Sequence, residues 1–411
     1  MTDQAAATER DPIAEPAPVR PSDRLFSLDV VRGLAVLGIL AVNAVTFAMP
    51  EPVMMNPSLQ PGGLEGEAAR AWQAMHVFFQ DKMRTLFSML FGASIFLIGG
   101  ERSDLVRGKL LRKRLFWLGL FGLAHGLFFW FGDILLLYAL TGCVVLLTRS
   151  WSARRLLIVG VALNLACSAL YLGLIAAFRM APPEAKADFH WDASAAQIAD
   201  MIARYQGDAL QTTLTVMSNW VAAVPIMSVA FLPATAALMM IGMGLFKSGF
   251  LAGRSPSWVY GLFVLLGGAA AALIWRESSA AIADGFPMIE TMMRPANTVL
   301  APLVSLAYAG VLILLARYGL KLILTPLARA GRMAFTNYLS QTLIMTTIFY
   351  GGRGLGYFGQ VGWPEMWLVI VGVWVVQLIW STLWLSRFSM GPLEWLWRRL
   401  TYGRGIALKR G

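Results

Sequence analysis

Apolar residues fall in long blocks along this chain, and short polar segments separate the blocks. Each block is about 17–24 residues long, the length that crosses a hydrocarbon core about 30 Å thick at 1.5 Å per residue. The pattern predicts an all-α polytopic membrane protein with about ten transmembrane helices. The predicted spans are Leu28–Met49, Phe79–Ile98, Leu115–Phe131, Ile134–Thr148, Leu156–Phe178, the Pro-containing stretch Thr213–Phe246, Trp258–Trp275, Thr298–Ala316, Phe335–Tyr350 and Met366–Leu385.

The charges of the connecting loops alternate along the chain. Lys and Arg concentrate in loops such as 102–114 and 317–332, whereas Asp and Glu concentrate in loops such as 50–78 and 179–212. Because basic loops are retained in the cytoplasm, both termini are predicted to be cytoplasmic. The net charge of +11 fits this distribution. It forms no long basic stripe, so nucleic acid is not an expected partner.

Composition divides the chain into three regions. Residues 1–24 are rich in Ala, Pro and acidic residues and are predicted to form a disordered cytoplasmic tail. Residues 25–403 form one polytopic domain with outer loops at about 50–78 and 179–212, the second containing an amphipathic segment, and residues 404–411 form a basic cytoplasmic tail. With 57% apolar and 14% charged residues, the composition excludes a soluble domain.

A few ionisable residues fall within the predicted spans, where they are costly and therefore candidates for function. Asp29 and Arg32 share one helical face with Asn43 in the first span, and they serve either function or an interfacial ion pair. His125 is the only histidine in a span, where it acts as a general base, a proton carrier or an interhelical contact. Asp133 either orients His125 or caps the fourth span.

Other polar residues sit at the ends of spans. Asp81, Lys82 and Arg84 lead into the second span and could line an outer vestibule, while small residues later in that span predict close helix packing. Asn337 and Gln341 share a face of the ninth span, and they bind either substrate or a neighbouring helix. Arginines near the predicted cytoplasmic face could hold phosphate. They are Arg32, Arg112, Arg114, Arg332 and Arg398.

The sequence lacks the motifs of soluble enzymes. It contains no phosphate-binding loop, no dinucleotide fingerprint, no serine-hydrolase elbow and no zinc-protease motif. Its two cysteines, Cys143 and Cys167, lack a partner at metal-ligand spacing and are interpreted as packing residues. A metal cofactor is therefore not expected.

Five motifs carry a resemblance to a known family. Together they resemble the YeiB-like family of bacterial inner-membrane proteins, over almost the whole chain from Arg24 to Gly403. That family is a domain of unknown function that is often labelled a transporter. The motifs are Arg24–Gly33, Leu86–Gly92, His125–Gly142, Gly331–Gln341 and Gly391–Arg398.

The YeiB-like family is distantly similar to the transmembrane acyl-transferase superfamily, which includes the heparan-glucosaminide acetyltransferase. Their shared opening, Arg-x-x-x-x-Asp-x-x-Arg-Gly, matches the first of the five motifs. The resemblance implies that a membrane-embedded histidine, here His125, acts on an acyl group from cytoplasmic acyl-CoA and that the acceptor lies on the far side. The arginines would then hold the phosphates of coenzyme A, and Asn43 is a candidate oxyanion donor.

Three functions therefore stay open. The first is a membrane acyltransferase with acyl-CoA as co-substrate. The second is a proton-coupled transporter or exporter of a small polar metabolite, with His125 and Asp133 as a proton relay and a sixth span broken by Pro225 and Pro233. The third is a structural or assembly role. Expected partners are the lipid bilayer, a small-molecule donor and acceptor, and a second copy of the chain through the Gly-rich second or the aromatic tenth span, although lipid-facing aromatics explain the latter equally well.

Overall fold

A computed structural model describes residues 26–182, 193–403 and 405–409. These residues form α-helices joined by turns and short 3-10 segments, and no strand occurs among them. The all-α prediction is confirmed. The acidic tail 1–24 and the middle of the second outer loop lie outside the described residues.

The described helices follow one another closely. They are α1 (Phe26–Ala48), α2 (Pro52–Met55), α3 (Gly66–Phe78), α4 (Lys82–Gly99), α5 (Leu105–Phe128), α6 (Leu135–Val145), α7 (Ala153–Arg179), α8 (Ala195–Gln206), α9 (Ala209–Lys247), α10 (Ser257–Ala283), α11 (Met288–Met292), α12 (Ala296–Arg317), α13 (Lys321–Arg332), α14 (Ala334–Phe349), α15 (Trp363–Arg387) and α16 (Pro392–Tyr402).

Several helices have the length and composition of membrane spans. Seven helical stretches within the described residues are long and apolar enough to cross a membrane, and a shorter apolar one covers Leu135–Thr148. Each predicted span coincides with a helix, including the shorter α14 and the apolar part of α5. The chain is therefore a multi-pass membrane protein, and a total of ten crossings stays a prediction.

The sixth predicted span differs from the expectation of a broken helix. The single helix α9 runs for 39 residues through both Pro225 and Pro233. A proline removes one intrahelical hydrogen bond, and neighbouring helices can support the helix around it. Gly92 of α4 lies so close to α9 that a Cβ there would meet the Met239 carbonyl oxygen at 1.9 Å. This contact confirms the close packing predicted for the second span.

The first helix lies at the centre of the molecule and fixes one end of the bundle. Leu40 is fully buried, and Gly331 of α13 packs directly against the backbone carbonyl of Asp29. This contact sets α13 beside the first motif. We call the end that holds these residues the basic end, since Arg32, Arg332 and Arg398 lie there. The opposite end, with residues 49–65 and 193–208, is the loop end.

The charges at the start of α4 form a closed junction. Asp81 has a left-handed backbone (φ 63°) that separates α3 from α4. Lys82 is 0% exposed, and its ammonium group donates to the His76 carbonyl at 2.8 Å and to the Asn297 side chain. Arg84 pairs with Asp81 at 3.1 Å. The side chains that could have lined an outer vestibule therefore bind their neighbours instead.

Candidate active site

The hairpin between α5 and α6 places His125 against Asp133. The distance from His125 Nδ1 to Asp133 Oδ1 is 2.8 Å, and both side chains are buried. The second oxygen, Oδ2, accepts the backbone N–H of Leu136 at 3.0 Å and so caps α6. The two roles considered for Asp133 therefore coexist. A carboxylate at Asp133 only accepts hydrogen bonds, so it favours the tautomer in which Nδ1 carries the proton and Nε2 keeps its lone pair.

That lone pair faces a hydroxyl group of α14. His125 Nε2 lies 2.9 Å from Thr342 Oγ1, and in the tautomer with its proton on Nδ1 it accepts from the Thr342 hydroxyl. The arrangement of carboxylate, imidazole and hydroxyl has the logic of a base oriented by a carboxylate. Tyr338 lies one turn before Thr342, with its ring centroid 5.5 Å from that of His125, and its hydroxyl donates no hydrogen bond to any described residue.

A cavity of about 300 Å³ rises from the basic end towards this cluster. Each of the five motifs contributes at least one side chain to its lining. Representatives in motif order are Arg32, Phe91, Tyr138, Tyr338 and Arg398. The motifs that are separated along the chain therefore converge on one space.

The mouth of this cavity is rich in guanidinium groups. Arg32, Arg114, Arg332 and Arg398 lie there with two acidic residues, Asp29 and Glu394. Arg32 pairs with Asp29 at 2.8 Å, and the guanidinium of Arg114 stacks 3.9 Å from the Trp397 ring centroid. Four positive charges against two negative ones leave the mouth with a net charge of +2. Such a mouth attracts polyanions.

Glu394 serves the fold at this mouth. Its carboxylate accepts the backbone N–H of Phe335 at 2.7 Å and that of Thr336 at 3.1 Å. It thereby satisfies donors at the start of α14, where a helix favours negative charge. Burial raises the pKa of the Glu394 carboxyl, and the hydrogen bonds from Thr336 and Phe335 oppose the shift. The fifth motif thus fixes the position of the fourth.

The deep end of the cavity is separated from His125 by one layer of side chains. Asp29 and Ile39 both line the cavity, and ten residues of helix span about 15 Å. The far lining includes Ile134, which follows Asp133, and Tyr338. The ring of Tyr338 therefore stands between the cavity and the imidazole of His125.

Four other predicted site residues lie away from this cavity. Arg112 is exposed, and Asn43 neither lines the cavity nor forms a hydrogen bond with His125 among the described contacts. Asn337 and Gln341 face other helices: the Asn337 amide donates to Ser381 at 3.0 Å, and the Gln341 amide donates to the Val36 carbonyl at 3.0 Å and to Gln377 at 2.9 Å. The interhelical interpretation of these two amides is the one that matches their contacts.

A second, polar cavity of about 300 Å³ lies at the loop end. It is lined by Glu51 after α1, by Asp200 and Arg204 on α8, and by Asn219 on α9. The Glu51 carboxylate accepts from the Asn219 amide at 2.6 Å, and Arg204 pairs with Asp200 at 2.8 Å. Although Glu51 is an exposed residue, protein atoms around its carboxyl group desolvate it and raise its pKa. From the sequence, Glu51, Asp200 and Arg204 fall in two separate loops and Asn219 falls in the sixth predicted span, so their proximity was not expected.

Aromatic side chains separate the loop-end pocket from His125. Trp220, next to Asn219 on α9, lies so close to Gly126 that a Cβ there would be 1.8 Å from the indole nitrogen. Phe47 stacks on Trp130 with 4.4 Å between ring centroids, and Trp130 lies 6.2 Å from the His125 ring. The Trp130 indole nitrogen has no hydrogen-bond partner within the described part of the chain. Packing alone therefore holds this ring.

No cluster of three or more His, Cys, Asp or Glu side chains in the described ranges is placed to hold a metal ion. His125, Asp133, Thr342 and Tyr338 supply a base, its orienting acid and two hydroxyl groups.

Comparison with known proteins extends the motif resemblance to whole chains. The chain is 33% identical to "Uncharacterized protein YeiB" of Escherichia coli K12 over 92% of this chain and 96% of that protein. It is 30% identical to "Uncharacterized protein YxaH" of Bacillus subtilis 168 over 94% and 96% of the two chains. No solved structure matches. Residues 245–404 match the family model described as "Protein of unknown function (DUF418)", and the chain belongs to this YeiB-like family.

Proposed function

We propose that the protein is a membrane-embedded acyltransferase. It moves an acyl group from cytoplasmic acyl-CoA to an acceptor on the outer side of a bacterial inner membrane, with both termini in the cytoplasm. The observation that carries the proposal is the cavity shared by all five motifs, which joins an arginine-rich mouth to the layer beside His125, Asp133 and Thr342.

The shape and charge of the cavity suit an acyl-CoA molecule. Arginines at the mouth supply planar, charged donors for the phosphate groups of coenzyme A. Beyond the mouth the lining is apolar, with Phe91 and Leu115 among its side chains. A depth of about 15 Å suits an extended thioester arm better than a compact solute. The donor would enter from the basic end, which corresponds to the cytoplasm under the positive-inside rule.

The buried cluster supplies the proton transfers for direct acyl transfer. The acceptor oxygen attacks the thioester carbonyl carbon while its proton passes to His125 Nε2, the position that the Thr342 hydroxyl now occupies. The carbon–sulfur bond breaks, and the departing thiolate takes the proton from the imidazolium. Asp133 holds the imidazole in the required tautomer throughout and stabilises its charged form.

Tyr338 is a better oxyanion donor than Asn43 in this scheme. Tyr338 is buried and lines the donor cavity, and its hydroxyl donates to no described residue, so a developing oxyanion would give that proton an acceptor. Asn43 lines no part of the cavity. A role for Tyr338 is tested by Tyr338→Phe, which should slow transfer and leave the affinity for acyl-CoA within about twofold.

A transporter is the second candidate, and one observation favours it. Two cavities of similar size open at opposite ends of the molecule, and the His125–Asp133 pair lies between them. A pump or exporter uses this layout for alternating access, with the histidine as a proton carrier. The continuous helix α9 lacks the broken segment expected of such a transporter, which favours the enzyme.

A thermal-shift titration of detergent-purified protein decides between the two. Acetyl-CoA, free coenzyme A and 3′-phospho-AMP are each titrated against the protein and against Arg32→Ala. Saturable stabilisation that weakens in the variant supports the acyltransferase, since ligands stabilise the state they bind. No shift with any of the three compounds would overturn it, and pH-driven solute flux in proteoliposomes would then establish the transporter.

A further inference from the structure

We propose that the loop-end pocket binds the acyl acceptor, and that this acceptor is a small hydroxylated amine whose ammonium group is held by Glu51. The inference rests on the proposed acyltransferase function and names the substrate class of its second site. The pocket lies on the far side of His125 from the donor cavity, where an acceptor would have to approach.

The charges of the pocket favour a cationic ligand. Two carboxylates, Glu51 and Asp200, and one guanidinium, Arg204, line it. Arg204 already pairs with Asp200 at 2.8 Å. Glu51 forms no ion pair with another described residue, and its carboxylate accepts a hydrogen bond from the neutral amide of Asn219 at 2.6 Å. A desolvated carboxylate without a cationic partner gains most from a positively charged ligand.

The remaining lining suits hydroxyl groups. Gln197 and Thr215 add an amide and a hydroxyl to the wall. The Asn219 amide is held in place because it also donates to the Tyr205 hydroxyl at 3.0 Å. A volume of about 300 Å³ is at the lower end of the range for small-molecule sites, so the pocket admits a compact solute and no polymer.

The ammonium group cannot be the nucleophile while Glu51 holds it, because its nitrogen has no lone pair. A hydroxyl group of the same molecule therefore reacts, and the product is an ester that keeps its positive charge. The hydroxyl oxygen bonds to the acyl carbon, its proton leaves through His125 to the thiolate, and the carbon–sulfur bond breaks. The amine anchors and the hydroxyl reacts.

The hydroxyl reaches His125 only when the aromatic side chains of Phe47 and Trp130, which lie between the pocket and His125, move aside. Phe47 leads directly into the pocket wall at Pro50 and Glu51, and its stacking partner Trp130 covers His125. No described hydrogen bond holds the Trp130 indole nitrogen, so its ring can turn aside against packing forces alone. This barrier would also keep water from the thioester when no acceptor is bound.

Three probes of similar size separate charge from shape. Serinol carries an ammonium and two hydroxyl groups, glycerol replaces the ammonium with a hydroxyl, and glycerate carries a negative charge. Each is titrated by calorimetry against the full-length protein in nanodiscs, with and without bound coenzyme A. We expect saturable binding of serinol, binding of glycerol at least about tenfold weaker, and none of glycerate.

Matched variants locate the binding. Glu51→Gln should weaken serinol binding at least about tenfold while the thermal shift with acetyl-CoA stays unchanged. Glu67→Gln removes one carboxylate from the same end, outside the pocket, and should change neither. Equal binding of the three probes, or an unchanged affinity in Glu51→Gln, would overturn the inference. If serinol binds through Glu51 but no coenzyme A compound binds, the acyltransferase proposal fails and the pocket remains a cation site.

Discussion

Helix α14 has two polar faces that cannot be distinguished from the sequence alone. On one face, the Asn337 amide donates to Ser381 of α15 and the Gln341 amide donates to the Val36 carbonyl of α1, both at 3.0 Å. Neither residue lines the donor cavity. On the other face, Tyr338 and Thr342 are equally buried but border the donor cavity and His125. The first face holds helices together, and the second is available for chemistry. Free space beside a polar group, rather than its burial, distinguishes the two.

The largest effect is expected at His125, which the Tyr338–Thr342 face of α14 contacts. His125→Gln keeps hydrogen-bonding capacity but removes the base, so acyl transfer should fall by about 10²–10⁴-fold with little change in acyl-CoA affinity. Transfer of a labelled acetyl group measures the rate, and calorimetry measures the affinity. His76→Gln is the matched control, since His76 is a second histidine at the loop end that binds Gln80 at 2.8 Å. Normal transfer in His125→Gln would contradict the assignment.

Substitutions on the Asn337–Gln341 face should lower the stability of the protein and leave the transfer rate unchanged. Gln341→Leu leaves the Val36 carbonyl and the Gln377 side chain without their described donor, which should cost about 2–3 kcal/mol of unfolding free energy. Thr342→Val, on the neighbouring face, should cost less and should change the transfer rate. Thermal unfolding in detergent compares the two variants. The division between the faces breaks if Gln341→Leu is as stable as the wild type and loses transfer.

A third variant tests the mouth of the donor cavity. Arg398→Gln should weaken acetyl-CoA binding about tenfold at low salt and less at high salt, because charge-assisted phosphate contacts are screened. Arg112→Gln removes an exposed arginine on the neighbouring helix, away from the cavity, and should leave binding unchanged. Equal losses in both variants would show that general positive charge, and not the cavity, attracts the ligand.

The smallest effect concerns the residue that fixes the start of α14. Because burial raises the folded-state pKa of Glu394 above its usual 4.5, the folded protein binds a proton more readily than the unfolded chain. The contribution of Glu394 to the free energy of unfolding is therefore fully present below pH 4.5 and is lost as pH rises through the raised pKa. Glu394→Gln should flatten this part of the stability curve, measured as unfolding midpoints between pH 4 and 8. An unchanged slope would contradict it.

The sequence predicted the helices well because bilayer thickness imposes one length on apolar segments. It also singled out His125 and Asp133, which lie in hydrogen-bond contact, and all four arginines at the mouth, because ionisable groups stand out in an apolar background. It missed Thr342 and Tyr338, which carry hydroxyl groups common in any membrane helix. It left the role of Asn337 and Gln341 open between substrate and a neighbouring helix, since spacing along a helix gives a face but not the neighbour that this face meets.

Helix α9 has a further consequence for the surrounding bilayer. Its 39 residues extend about 58 Å, close to twice the thickness of the hydrocarbon core. Exposed apolar side chains occur along it only from Leu210 to Phe231, a stretch of about 33 Å that matches one hydrocarbon core, whereas residues 235–245 are buried. The length of α9 beyond one bilayer thickness is therefore covered by other helices of the protein. Lipids of ordinary thickness should for this reason stabilise the protein better than much thinner or much thicker bilayers do.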